Sequence, residues 1–106
     1  VHAPLMDLSF EDADRVYSWY DQGAVREVLI GRKIDFLLVD GPPKNSGDMA
    51  RFPAGPVLSD YLAKGCQIII DDADRADEAA AARQWAHMLD KRLEFLSLSR
   101  TIALLR

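Results

Sequence analysis

The sequence predicts an α/β fold that runs β-α-β-α-β-β from Ile34 onward, with the last strand antiparallel. Three observations predict it. The run Ile34-Asp35-Phe36-Leu37-Leu38-Val39-Asp40 is apolar at five of seven positions and stops at Gly41-Pro42-Pro43. A second run, Cys66-Gln67-Ile68-Ile69-Ile70, stops at Asp71-Asp72. Runs of this kind read as strands buried on both faces, which occur in parallel sheets covered by helices. Third, Ala82, Trp85, Ala86 and Leu89 recur at helical spacing after the second run.

In chain order, Val1 to Leu5 reads as the tail of a strand whose beginning is missing, and Ser9 to Asp14 as an acidic loop. Tyr17, Trp19 and Tyr20 give Val16 to Tyr20 a strand preference. Ala24 to Gly31 has room for a turn or two of helix. Residues 1–33 are therefore an irregular N-terminal segment with short strand elements, and 34–106 the α/β unit. Parallel strands need a crossover. Pro56 suits its first helical turn, Val57, Leu58, Tyr61 and Leu62 form its stripe, and Lys64-Gly65 is a C-terminal stop. Asp77 and Glu78 suit the N-terminus of the next helix, and Lys91 and Arg92 its far end. Leu93 to Leu98 and Thr101 to Leu105 flank Ser99-Arg100, a connection tight enough for a hairpin. Asn45 to Asp48 is the mobile-loop candidate.

Composition narrows the function. The chain has 106 residues, and 13 basic against 17 acidic residues give a net charge of −4. That is one domain at most, and its charge argues against general nucleic-acid or anionic-membrane binding. One cysteine, Cys66, excludes a disulfide framework and a multi-cysteine zinc site. No apolar run reaches the ~18–20 residues of a membrane span, and Val1 opens neither a signal nor a transit peptide, so a cytoplasmic protein is expected. A start at Val predicts a piece or a processed product. None of the six glycines forms Gly-x-Gly, so no glycine-rich phosphate turn is present. No serine has a Gly-x-Ser-x-Gly setting.

The chemistry-bearing residues gather at strand ends. Asp40 ends the first run and Asp71-Asp72 the second, and in open parallel sheets ligands bind beyond the carboxyl ends of the strands. Adjacent strands are ~4.8 Å apart, so these acids can meet, and a divalent oxygen-loving cation such as Mg²⁺ relieves their repulsion. The competing reading is local: Asp40 starts a turn, and Asp72 or Asp74 caps the following helix. Lys44, beyond the stiff Pro42-Pro43, is either a base or anion contact at this rim or a solvated loop residue. Arg51 either positions an anionic group or pairs with the nearby carboxylates. His87 reads as a surface or boundary residue, His2 lies near the frayed start, and Cys66 reads as an inert core thiol. Trp19-Tyr20 either stacks on a planar ligand or covers a core edge.

Taken together, Ile34 to Asp40 with Gly41-Pro42-Pro43, Arg51-Phe52-Pro53-Ala54 and Ile68-Ile69-Ile70-Asp71-Asp72-Ala73-Asp74-Arg75 resemble class I S-adenosylmethionine-dependent methyltransferases. They are most similar to the group with "DGPP" after the fourth strand and "DDADR" after the fifth. His2-Ala3-Pro4-Leu5 and Trp19-Tyr20-Asp21 also fit that group, so the resemblance spans nearly the whole chain. It implies the C-terminal half of a Rossmann-like methyltransferase sheet, strands four to seven. It also implies O-methyl transfer to a small-molecule hydroxyl with divalent-metal assistance. Metal ligands would be Asp40, Asp71 and Asp72; cofactor contacts Ala3, Pro4 and Asp40; catalytic residues Asp40 and Lys44, although the Pro42-Pro43 insertion departs from the catechol pattern at Lys44. The first strand and its glycine-rich loop are missing, so this stretch alone is expected to be inactive. The alternative is a non-catalytic structural or dimerisation domain. In either case the strand 34–40 has an open edge, expected to be covered by residues 1–33 or by a second copy in a homodimer.

Overall fold

A parallel pair of strands organises the molecule. The computed structural model describes residues 3–10 and 15–106, with Lys44 described by its backbone alone. β1 (Leu5–Ser9) and β2 (Val16–Tyr20) form an antiparallel hairpin of their own. Asp21 then opens α1 (Gln22–Leu29), its carboxylate accepting the Gly23 N–H at 3.2 Å. The remaining elements are β3 (Ile34–Val39), α2 (Ala54–Leu58), β4 (Leu62–Ile70), α3 (Ala76–Met88), β5 (Leu93–Ser97) and β6 (Thr101–Leu105). Single 3₁₀ turns sit at Lys44–Ser46 and Ser59–Tyr61. The main sheet has the order β3-β4-β6-β5, with β3 parallel to β4 and β6 antiparallel to both its neighbours. The protein is thus mixed α/β, and the β-α-β-α-β-β order from Ile34 is the one its sequence predicts.

The crossover differs from expectation. It is one short helix, α2, plus a 3₁₀ turn, and the chain is already in β4 at Leu62. Lys64-Gly65 therefore does not stop a helix; it lies inside β4. The reason is a bulge: Ile34 pairs with Leu62 but Phe36 pairs with Gln67, so β4 carries extra residues here. Gly65, at φ +82°, adopts among them a left-handed conformation that costs glycine little.

The strands are also not buried on both faces. Leu37 and Val39 pair with Ile68 and Ile70, and Ala103 and Leu105 face Ile70 and Ile68 from β6. This face is the core, with Ile68, Ile70, Ala103, Leu105 and Trp85 fully buried against Val39, Cys66 and Trp19. Trp85 comes from α3, on the predicted stripe, and its indole N–H donates to the Phe52 carbonyl at 2.9 Å. On the opposite face Phe36 and Leu38 stand 54% and 59% exposed. β3 is an edge strand, and β1 and β2 pair with each other rather than extending it. Residues before Ile34 instead approach β3 through side chains: Trp19, Tyr20, Val25 and Leu29 pack on the cluster that contains Val39. Among the described residues no helix is long and apolar enough to cross a membrane.

α2 passes so close to Trp85 that a side chain at Gly55 has no room. A Cβ there would stand 2.3 Å from Trp85 Nε1 and 2.4 Å from its Cδ1. Gly55→Ala is expected to destabilise the fold by about 1–3 kcal/mol, the usual range for overpacking. Gly23→Ala, whose Cβ would meet only Asp21 oxygens at 3.6 Å or more, is expected to be tolerated. Thermal melts of the two variants check this; an equal loss in both would contradict it.

Candidate functional site

The pairing of Val39 with Ile70 brings two strand ends level. Asp40 follows the first and Asp71-Asp72 the second, and the Asp71 N–H donates to the Val39 carbonyl at 3.1 Å. One carboxylate oxygen from each of Asp40, Asp71 and Asp72 lies within 4.8 Å of the others. Asp40 is exposed, Asp72 half-buried and Asp71 buried. The acids predicted to converge do converge. The local alternative fails at the helix: α3 begins at Ala76 with Arg75 in the cap position and no side-chain capping bond, so neither Asp72 nor Asp74 caps it. Asp72 has φ +55°, a left-handed conformation costing a non-glycine residue about 1–2 kcal/mol. Such conformations cluster at functional sites.

Arg51 stands behind this rim and is only 5% exposed. Its hydrogen bonds go to backbone: NH1 donates to the Asp71 carbonyl at 3.1 Å and Nε to the Pro42 carbonyl at 3.4 Å. Its charge is shared among carboxylates, 3.7 Å from Asp40, 3.8 Å from Asp72 and 3.9 Å from Glu78. Of its two predicted roles, carboxylate pairing is the one observed. Glu78, in the first turn of α3, is buried, and its Oε2 has no hydrogen-bond partner among the described residues. An unsatisfied buried acceptor costs about 1–3 kcal/mol, so Arg51 is the compensating charge for Glu78 as well. Arg75 adds a 3.5 Å pair with Asp72.

Arg100, in the turn between β5 and β6, was not legible as a site residue. It donates to Asp71 Oδ2 at 2.5 Å, while Asp71 Oδ1 accepts the Asp72 N–H at 2.9 Å. Burial alone would raise the Asp71 pKa. The Asp72 N–H, the Arg100 hydrogen bond and charge, and the charge of Arg51 outweigh it and hold the carboxyl below its ordinary value. Nothing in the sequence marks Arg100 beyond a base in a hairpin turn, since its partner lies 29 residues away.

The other predicted residues are scattered around the rim. Lys44 begins the 3₁₀ turn four residues beyond Asp40. A cavity of about 520 Å³ opens beside β3, lined by Ala3, Trp19, Tyr20, Leu37, Val39 and Asp40 among others, and it meets the rim at Asp40. Pro4 is exposed, and its carbonyl accepts the Asp21 N–H at 2.8 Å. Trp19 is 3% exposed and part of the core, so it covers a core edge, and its indole nitrogen has no acceptor among the described residues. Tyr20 brings its hydroxyl to 2.7 Å from where a Gly41 Cβ would stand, so glycine is the residue that fits there. Cys66 is buried and burial pushes its thiol pKa up, as expected of an inert core thiol. His87 is exposed, and His2 lies outside the described residues.

No family model, curated protein or solved structure matches this chain.

The depressed Asp71 pKa has a defined pH signature. Its stabilising contribution is present above the ordinary value of 3.8 and is lost as pH falls through the lower folded value. The stability difference between wild type and Asp71→Asn should therefore be flat from neutrality to about pH 5 and shrink below that. Urea titrations across this range measure it. A difference that grows on acidification would reverse the sign of the argument.

Proposed function

We propose that this chain is the C-terminal part of an S-adenosylmethionine-dependent methyltransferase that transfers a methyl group to a small-molecule hydroxyl with the help of a divalent cation. The observation that carries the proposal is the convergence of Asp40, Asp71 and Asp72 at the carboxyl ends of two adjacent parallel strands. The β-α-β-α-β-β element order with an antiparallel last strand supports the reading, since the resemblance implies strands four to seven with the last one antiparallel. The uncovered apolar face at Phe36 and Leu38 also supports it, because a half-sheet needs further elements to cover that face.

The donor set fits a hard cation. Asp40, Asp71 and Asp72 offer carboxylate oxygens only, and Asp40 faces solvent, which suits an ion that keeps several waters. Asp40, Asp71 and Asp72 would hold the cation, Mg²⁺ or a similar ion, which would supply a lowered pKa to an acceptor hydroxyl. Asp40 stands at both the rim and the apolar cavity, so it is the residue that orients acceptor and cofactor toward each other. Lys44 is the proposed base, placed just beyond Asp40 by the Gly41-Pro42-Pro43 turn. For the cofactor, Ala3 and Asp40 line the cavity, but no glycine-rich turn offers backbone N–H groups, so these residues alone do not fit S-adenosylmethionine. The 106-residue chain is accordingly proposed to be inactive by itself.

A second reading, a silent structural or dimerisation domain, is favoured by one observation: the acids are already paired with Arg51, Arg75 and Arg100. Under it, the open edge and face of β3 pair with a second copy, and sedimentation would report a dimer that Phe36→Lys disrupts.

Two measurements distinguish the readings. Mg²⁺ or Mn²⁺ should raise the melting temperature of the wild-type chain and leave Asp71→Asn unmoved; equal responses would remove the metal assignment. Calorimetric titration of S-adenosylmethionine should give binding to a longer chain that includes the glycine-rich half, and none to this chain. Absence of binding to both would favour the silent domain.

A further inference from the structure

The two arginines at the rim differ in how firmly they are held. Arg51 is buried and anchored from behind by two backbone carbonyls and Glu78, and it donates no hydrogen bond to the carboxylates of the rim. Arg100 is the reverse. Its side chain is 64% exposed, it comes from the β5–β6 turn, and its one side-chain hydrogen bond among the described residues ends on Asp71 Oδ2. The other oxygen of Asp71 is committed to the Asp72 N–H, a contact internal to its own turn.

A cation shared by Asp40, Asp71 and Asp72 needs an oxygen from Asp71. Oδ1 retains lone-pair capacity, but it is oriented by the Asp72 amide, and Oδ2 carries the guanidinium. A divalent ion on either oxygen would sit within a few ångströms of Arg100, and two cations that close repel. Arg51 imposes a similar repulsion but cannot leave, because withdrawing it would strand Glu78 and two carbonyls. Arg100, 64% exposed, can swing into solvent at the loss of one part-buried ion pair, and a cation on Asp71 would replace the charge it withdraws.

We propose that Arg100 is a displaceable counter-cation: it occupies the Asp71 carboxylate when no metal is bound, and metal and Arg100 exclude each other at the rim. This rests on the metal-site reading above. Arg100 is then a positioning residue that sets the concentration at which the rim loads, and the β5–β6 turn reports that loading by releasing its tip. Arg51 is the permanent partner that keeps the acids together in either state.

The test is Mn²⁺ binding to the full chain, followed by electron paramagnetic resonance of the free ion, in wild type, Arg100→Gln, Arg100→Lys and Asp71→Asn. Arg100→Gln removes an exposed charge from a turn, so the fold should persist. It should bind Mn²⁺ severalfold more tightly than wild type, because no Arg100–Asp71 pair then has to be broken before the ion enters. Arg100→Lys should bind like wild type, and Asp71→Asn should lose the site. Binding in wild type that is lost in Asp71→Asn, yet unchanged in Arg100→Gln, overturns the role of Arg100 and leaves the metal site standing. No Asp71-dependent binding in either wild type or Arg100→Gln overturns both. Binding seen only in Arg100→Gln overturns the displacement, since Arg100 would then mask the site permanently, and leaves the metal-competent acids standing.

Discussion

Three carboxylates at one sheet edge are tolerable in this fold because a buried guanidinium sits behind them. Parallel pairing in register, Val39 beside Ile70, forces Asp40 and Asp71 out at the same end. Without compensation their repulsion would oppose the pairing that creates them. Arg51 supplies the charge at 3.7 and 3.8 Å and ties the structure together with the same group. It joins the loop after β3 through Pro42, the end of β4 through Asp71, and the start of α3 through Glu78. A buried ion pair of this kind is weak evidence for added stability, since desolvation offsets much of the attraction. Its evident effect is to fix where three elements meet.

That arrangement makes the rim both strained and charged. Asp72 is left-handed, Asp71 is held ionised, and Glu78 keeps one oxygen without a partner. The left-handed Asp72 and the unpartnered Glu78 oxygen cost stability, whereas the ionised Asp71 contributes to it at neutral pH. The apolar cavity reaches the rim at Asp40. A concave, mostly apolar recess with a few polar groups at its mouth is the usual form of a small-molecule site.

How much of this was legible in the sequence depended on whether the signal was local. The strand from Ile34, the hairpin flanking Ser99-Arg100 and the Ala82–Trp85 stripe are local patterns, and they appear where periodicity puts them. The β4 bulge was not legible, because Lys64-Gly65 after an apolar stripe looks the same whether the glycine ends a helix or relaxes a strand. Burial on both faces was read from the apolar character of Phe36 and Leu38, but composition states what a face wants to contact, not whether the contact is present. At the site, strand-end position located Asp40, Asp71 and Asp72. It did not locate Arg100 or Glu78, whose roles follow from tertiary packing, and it left Arg51 between two roles, of which the carboxylate pairing is seen.

The central claim is that the acidic rim is a divalent-cation site. The most direct measurement is anomalous scattering from a crystal of this chain soaked in Mn²⁺. A peak between Asp40, Asp71 and Asp72, with the Arg100 side chain turned away from Asp71, is the result predicted. Ordered density for the Arg100–Asp71 pair at high Mn²⁺, with no peak at the rim, would contradict it.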